Sequence, residues 1–160
     1  MSKAYFRIYT DGSANNLSPE GEGGLAYIIF DGCTHTIRKY SEGILHTTNN
    51  RAEMMAIIKA LKTLPDDCEV DIKTDSSYAI LSFLRKGIRR DTKNKDLIEL
   101  YRKEAKGKSI RFVKVKGHSG NTYNEQCDKL AKMAMEKIRT THNIPLYTTK
   151  NTPKTNRNKR

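Results

Sequence analysis

Apolar and polar positions change their period along this chain, and the changes mark its elements. Lys3 to Asp11 is rich in strand formers, with Tyr5, Phe6, Ile8 and Tyr9. Asp11-Gly12-Ser13 is read as the end of that strand, and a polar, glycine-bearing loop runs from Ala14 to Gly24. Leu25 to Phe30 is a second strand, Asp31-Gly32 a hairpin-type turn, and Thr34 to Leu45 a third strand of mixed polarity. The period then becomes helical. Met54, Ile57, Ile58 and Leu61 fall at i, i+3, i+4 and i+7, and Pro65 ends that helix. Val70 to Thr74 is a short strand with Asp75 at its end. Tyr78, Leu81 and Leu84 suggest a second helix that stops near Gly87. Leu97, Leu100 and Tyr101 suggest a third. Ile110 to Val115 alternates apolar and basic residues and is a fifth strand. Gly117 to Gly120 is a loop. Cys127, Leu130, Ala131 and Ala134 form the apolar face of a last helix ending near Thr140.

The order β-β-β-α-β-α-α-β-α predicts an α/β fold. Three antiparallel strands come first, then strands joined through helices, giving a mixed sheet covered by helices. The 160 residues suffice for one domain with a real core, and no internal repeat is present. The apolar runs are strand-sized, far short of the roughly 20 residues of a membrane span. The N-terminus runs straight into a strand and carries no secretory pattern, which points to a cytoplasmic protein.

Charge narrows the function. The net charge of +12 favours a polyanionic partner, most often nucleic acid. Cys33, Cys68 and Cys127 have no metal-ligand spacing and read as reduced thiols. The catalytic body is expected to span residues 1–141, followed by a tail over 142–160. From residue 145 onward the tail holds Lys150, Lys154, Arg157, Lys159 and Arg160 and no acid, so it reads as disordered and basic.

Four acids fall at element ends: Asp11, Glu53, Asp75 and Asp128. If the first and fourth strands are neighbours, Asp11 and Asp75 can meet at one sheet edge, and helix starts could bring Glu53 and Asp128 beside them. Two-metal phosphoryl hydrolysis wants such a set, because Mg²⁺ prefers carboxylates with water and phosphate oxygens. The same residues could equally be caps, turn residues or partners of a helix dipole. Spacing alone does not decide between these readings.

The surrounding motifs do. Ile8 to Ser13 (IYTDGS), Thr48 to Glu53 (TNNRAE), Thr74 to Tyr78 (TDSSY), Val115 to Gly120 (VKGHSG) and Asn124 to Ala131 (NEQCDKLA) resemble, in order, the five motif blocks of type 1 ribonuclease H. The resemblance covers about residues 4–138. It implies the ribonuclease H-like fold, with a five-stranded mixed sheet flanked by helices. It further implies an endonuclease that cuts the RNA strand of RNA–DNA hybrids without sequence preference and leaves 5′-phosphates. Two Mg²⁺ ions, replaceable by Mn²⁺, would be held by Asp11, Glu53, Asp75 and Asp128, with Asp11 contacting both. His118 matches the family's loop histidine, which assists proton transfer or product departure. Gly12, Ser13, Thr48, Asn49, Asn50 and Ser77 match substrate-contacting positions, although Ser77 stands where glutamine is common. Asn15 and Asn16 are both candidates for one further contact. A monomer acting without a membrane is expected.

The chain departs from many relatives in one respect. It has no tryptophan, and residues 76–109 are too few for two helices plus the family's basic protrusion. A basic run remains, with Arg85, Lys86, Arg89, Arg90, Lys93 and Lys95. Other readings are a ribonuclease H domain of a reverse transcriptase and a catalytically silent hybrid-binding module. If the C-terminal tail takes over part of the protrusion's role, deleting residues 145–160 should raise KM for a hybrid and flatten its salt dependence while sparing kcat. An unchanged KM across several salt concentrations would contradict this.

Overall fold

A computed structural model describes residues 3–116 and 122–152. Within them the chain forms β1 (Ala4–Ala14), β2 (Gly23–Asp31), β3 (Thr36–Ile44), α1 (Asn49–Lys62), β4 (Cys68–Thr74), α2 (Ser77–Leu84), α3 (Lys95–Ala105), β5 (Ser109–Lys114) and α4 (Thr122–Thr141). The strands make one sheet in the order β3-β2-β1-β4-β5. β1–β2 and β2–β3 pair antiparallel, whereas β1–β4 and β4–β5 pair parallel. This is the expected mixed sheet, with the expected element order.

Alternation along the central strands feeds two cores. On one face Phe6 and Ile8 of β1, Tyr27 and Ile29 of β2, and Val70 and Ile72 of β4 meet Met54, Ile57, Ile58 and Leu61 of α1, with α2 and α3 completing the cluster. On the other face Tyr9, Ala26 and Ile28 meet Cys127 and Ala131 of α4. The four apolar residues that mark the α1 face are all buried, as their spacing requires. The three cysteines are unpaired, and burial pushes the Cys127 thiol up to about 12. Among the described residues no helix is long and apolar enough to cross a membrane.

Three local expectations are corrected. Asp11-Gly12-Ser13 does not end β1, because antiparallel pairing continues through Asp11↔Ala26 to Ala14↔Gly23. The strand loses its parallel neighbour earlier, at Tyr9↔Lys73, and it is there that the sheet edge opens. Asp31-Gly32 is not a two-residue hairpin turn. The β2–β3 loop takes four residues, His35 carries the left-handed φ of 57°, and the Asp31 carboxylate accepts the N–H groups of Cys33 (2.8 Å) and Thr34 (3.2 Å). In α2, Leu81 and Leu84 face solvent at 71% and 61% exposure, and Ala79 and Phe83 turn inward instead. Phe83 stacks on Tyr101 of α3 with ring centroids 4.1 Å apart, and that pairing sets the helix's rotation.

Both helix layers approach the sheet where a side chain is missing. A Cβ at Gly24 would lie 2.0 Å from the Ala131 carbonyl oxygen of α4, and one at Gly12 would lie 2.3 Å from the Ala52 carbonyl carbon of α1. The helices therefore sit closer to β1 and β2 than any side chain would permit. Gly24→Ala should lower stability by about 1–3 kcal/mol through overpacking. A urea midpoint that does not move would show that α4 can yield.

Candidate active site

The strand register assembles the first two carboxylates. Two residues beyond the last parallel pair, Tyr9↔Lys73, stand Asp11 and Asp75, each just past the point where the two strands separate. Asp11 is held by continued pairing with β2, and Asp75 follows directly on β4. Glu53 comes from the first turns of α1. Thr48 caps that helix, its side-chain oxygen accepting the Arg51 N–H at 3.2 Å. The bare Cα of Gly12 lets the Ala52–Glu53 backbone rest on β1. Carboxylate oxygens of Asp11, Glu53 and Asp75 then lie within 4.8 Å of one another.

Asp128 sits on the second turn of α4 and faces the same place. With Asp11, Asp75, Asn124 and Glu125 it lines a cleft of about 20 Å³, on the order of one water or one ion. Its Oδ2 accepts from Lys132 at 3.0 Å, one helical turn on.

Electrostatics set this cluster apart from ordinary caps. Asp11 is only 6% exposed, with its Oδ1 accepting the Gly12 N–H at 2.9 Å. Burial pushes the Asp11 carboxyl up to about 7, against the hydrogen bond it shares with Glu53, and the charge of Asp75 adds to the rise. Burial, followed by the charge of Asp11, raises Glu53 still further. Glu53 Oε2 is buried and has no hydrogen-bond partner among the described residues. An all-oxygen donor set with an orphaned oxygen and suppressed ionisation fits a hard divalent cation, which would supply the missing charge.

The remaining sequence-predicted positions are placed as follows. Thr48, Asn49, Asn50 and Ser77 are exposed, and Gly12 and Ser13 are half-buried on β1 beside Asp11. Asn49 locks the adjoining loop, its Oδ1 accepting the Ala14 N–H at 2.6 Å and its own N–H donating to Asn16 Oδ1 at 3.1 Å. Asn16 is therefore the exposed member of the Asn15–Asn16 pair, next to Asn49. The Asn15 side chain bonds inward, to Glu22 and to the Tyr147 carbonyl. His118 lies outside the described residues.

A model of the RNase H family matches residues 3–136. The chain belongs to the ribonuclease H family. A ribonuclease H of Campylobacter jejuni (strain 81-176) is 41% identical over 144 residues, covering 84% of this chain and 93% of the relative. Another, of Chlorobium phaeovibrioides, is 39% identical over 142 residues, covering 81% and 94%. Among solved structures, a type 1 RNase H with a type 2 active-site motif, LC9-RNase H1, superposes with a TM-score of 0.73. It shares 23% identity over 86% of this chain and 74% of its own, and it supports the fold. The chain is thus a ribonuclease H enzyme with the family's sheet.

Gly12, expected as a substrate contact, has a further role in close approach that no local pattern reports. Other residues at the site escaped sequence reasoning. Asn124 and Glu125 line the cleft; Glu125 is one helical turn before Asp128, a spacing that could have indicated it. Arg51, between Asn50 and Glu53, makes a bidentate pair with Asp96 at 2.9 and 2.8 Å and also donates to Asn94 at 3.2 Å. Asn94 in turn donates to the Tyr78 hydroxyl at 2.8 Å. This chain of bonds ties the first turn of α1 to the starts of α3 and α2.

Raised carboxyl pKa values have a stability consequence with a definite sign. The folded metal-free protein binds more protons than the unfolded chain between about pH 4, the ordinary carboxylate range, and about 7. Its stability is therefore full below that window and falls as pH rises through it. With chelator present, Tm should drop from pH 5 to pH 8, and Glu53→Gln should reduce the drop. Equal pH dependence in the two proteins would contradict the assignment.

Proposed function

We propose that this ribonuclease H cleaves the RNA strand of RNA–DNA hybrids, with Asp11, Glu53, Asp75 and Asp128 holding two Mg²⁺ ions. The observation that carries the reading is the convergence of Asp11, Glu53 and Asp75 from three separate elements, with Asp128 on the same cleft. Mn²⁺ would fit the same oxygen donors. When bound, the cations supply Lewis-acid stabilisation of the phosphoryl and leaving oxygens.

The protein's own groups do the rest. Asp11, the most buried of the four, is fixed by the Gly12 N–H and by strand pairing on the β2 side, so it is positioned before substrate arrives. Asp128 is kept on the cleft by its bond to Lys132. Hydrolysis adds water to phosphorus and breaks the bond to the 3′-oxygen, leaving a 3′-hydroxyl and a 5′-phosphate. His118 is proposed to assist proton transfer or product departure, a role suited to a side chain that can take up and release a proton near neutral pH.

Exposed amides at Asn16, Asn49 and Asn50 offer donors and acceptors for 2′-hydroxyls and base edges, the contacts that distinguish RNA from DNA. Thr48 and Ser77 are exposed and would meet the nucleic-acid backbone. The basic residues Arg85, Lys86, Arg89, Arg90, Lys93 and Lys95 are exposed between α2 and the start of α3, and would add sequence-independent affinity. The enzyme is proposed to act as a cytoplasmic monomer. A silent binding module has little reason to keep four carboxylates converging at such electrostatic cost.

Asp11→Asn removes one charge from the centre of the cluster. It should lower hybrid cleavage by at least about 10³-fold, a loss of roughly 4 kcal/mol of transition-state stabilisation. Hybrid binding, measured by fluorescence anisotropy, should persist. Cleavage surviving in the variant would refute the site assignment.

A further inference from the structure

The chain beyond α4 returns to the body. Asn143 takes a left-handed φ of 52° and its N–H donates to the Thr140 carbonyl at 3.2 Å, while the Ile144 N–H donates to the Arg139 carbonyl at 2.9 Å. Ile144 is only 7% exposed. From there the segment runs past Glu20 and Leu45 to Tyr147, and these residues share the lining of one cleft. At Tyr147 its backbone carbonyl accepts a hydrogen bond from Asn15 Nδ2 at 3.0 Å.

Asn15 belongs to the polar connection between β1 and β2. The same amide nitrogen donates to Glu22 Oε1 at 3.3 Å, and the Asn15 Oδ1 accepts the Leu17 N–H at 3.1 Å. Glu22 is fully buried, and its second carboxylate oxygen has no partner among the described residues. A buried carboxylate with so few donors makes the Asn15 amide costly to lose. The connection has little apolar grip of its own, since Leu17 is 40% exposed. Its base is held by Thr47 N–H to Gly21 carbonyl (2.9 Å) and His46 N–H to Glu20 carbonyl (2.8 Å). Its outer end, where Asn16 Oδ1 accepts the Asn49 N–H at 3.1 Å, is also held by the Asn15 N–H to the Glu22 carbonyl (2.9 Å) and is anchored to the segment beyond α4 through the Asn15 side chain.

We infer that residues 142–147 form a strap that fixes the β1–β2 connection through Asn15, and that Asn15 is a positioning residue for hybrid binding. Asn15 does not touch substrate. It clamps the loop to Tyr147 and Glu22 so that Asn16 and Asn49 are presented in one arrangement before the hybrid arrives. A loop ordered in advance lowers the entropy lost on binding, so the effect falls on KM and not on the chemical step. The inference rests on the hybrid-cleaving reading and adds to it a role for the chain end that is independent of the tail's charge.

The test is steady-state cleavage of a labelled RNA–DNA hybrid by the full chain with Mg²⁺, by Asn15→Ala, by a truncation after Ile144, by both together, and by a truncation after Thr152. Asn15→Ala and the truncation after Ile144 should each raise KM roughly three- to ten-fold, the equivalent of one lost hydrogen bond. Each should leave kcat within about two-fold. The combination should raise KM by less than the product of the two single changes, because both break the Asn15–Tyr147 bond. The Asn15→Ala effect should be equal at low and high salt, whereas the truncation after Thr152, which removes Lys154, Arg157, Lys159 and Arg160 but leaves the Tyr147 bond in place, should act through salt dependence. Should Asn15→Ala fail to fold, Asn15→Ser, which keeps a shorter donor, should show a smaller KM rise in the same direction. Unchanged KM, a loss confined to kcat, or fully additive effects would overturn the strap. Failure of the unmodified chain to cut the hybrid would instead overturn the functional reading beneath it.

Discussion

The backbone contact between Gly12 and the first turn of α1 is the constraint on which the active edge depends. With no Cβ at residue 12, the Ala52–Glu53 peptide lies directly on β1, and the distances that any Cβ would make, 2.3 and 2.4 Å, leave no room for a substitute. Asp11 is the preceding residue of the same strand, so one contact fixes two carboxylates from different elements. Gly24 does the equivalent for α4 against β2, and the last helix carries Asp128. The site is thus built on rigid elements in close backbone contact.

That closeness has an electrostatic cost which gives the arrangement its meaning. Burial raises the carboxyls of both Asp11 and Glu53, with the charge of Asp75 adding to the rise at Asp11 and that of Asp11 adding to the rise at Glu53. Among the described residues neither Asp11 nor Glu53 makes an ion pair with a base. Lys132 serves Asp128 at the rim, and Arg51 is committed to Asp96. The charge deficit is localised at the centre, where a divalent cation and the phosphate of a substrate would meet. The chain carries a net charge of +12, yet its centre concentrates acids. A basic exterior that attracts a polyanion and an acidic centre that holds cations are compatible because they act at different ranges.

Much of this could be read from the residues, and the exceptions have physical causes. Period-2 and period-3.6 patterns located every element, since burial of one face is what those patterns encode. The helix α2 was found but wrongly rotated: three of its large apolar residues satisfied helical spacing, and only the Phe83–Tyr101 stack, a long-range contact, selects the other face. The end of β1 was misjudged because Asp-Gly-Ser resembles a turn, while pairing with β2 overrides that local tendency. Convergence of the four acids was undecidable from spacing, because it depends on strand order and on two missing side chains. Which of Asn15 and Asn16 is the exposed amide was likewise undecidable, since Asn15 is turned inward by Tyr147, far along the chain.

The central claim is that the carboxylate cluster is a cation site serving hybrid cleavage. Its most direct test is one cleavage panel: end-labelled RNA–DNA hybrid, double-stranded RNA and double-stranded DNA, each with Mg²⁺, Mn²⁺ or chelator. The account predicts cutting of the RNA strand in the hybrid alone, with either metal and not with chelator, leaving 5′-phosphate ends. Cleavage that persists in chelator, or equal cleavage of double-stranded RNA, would contradict it.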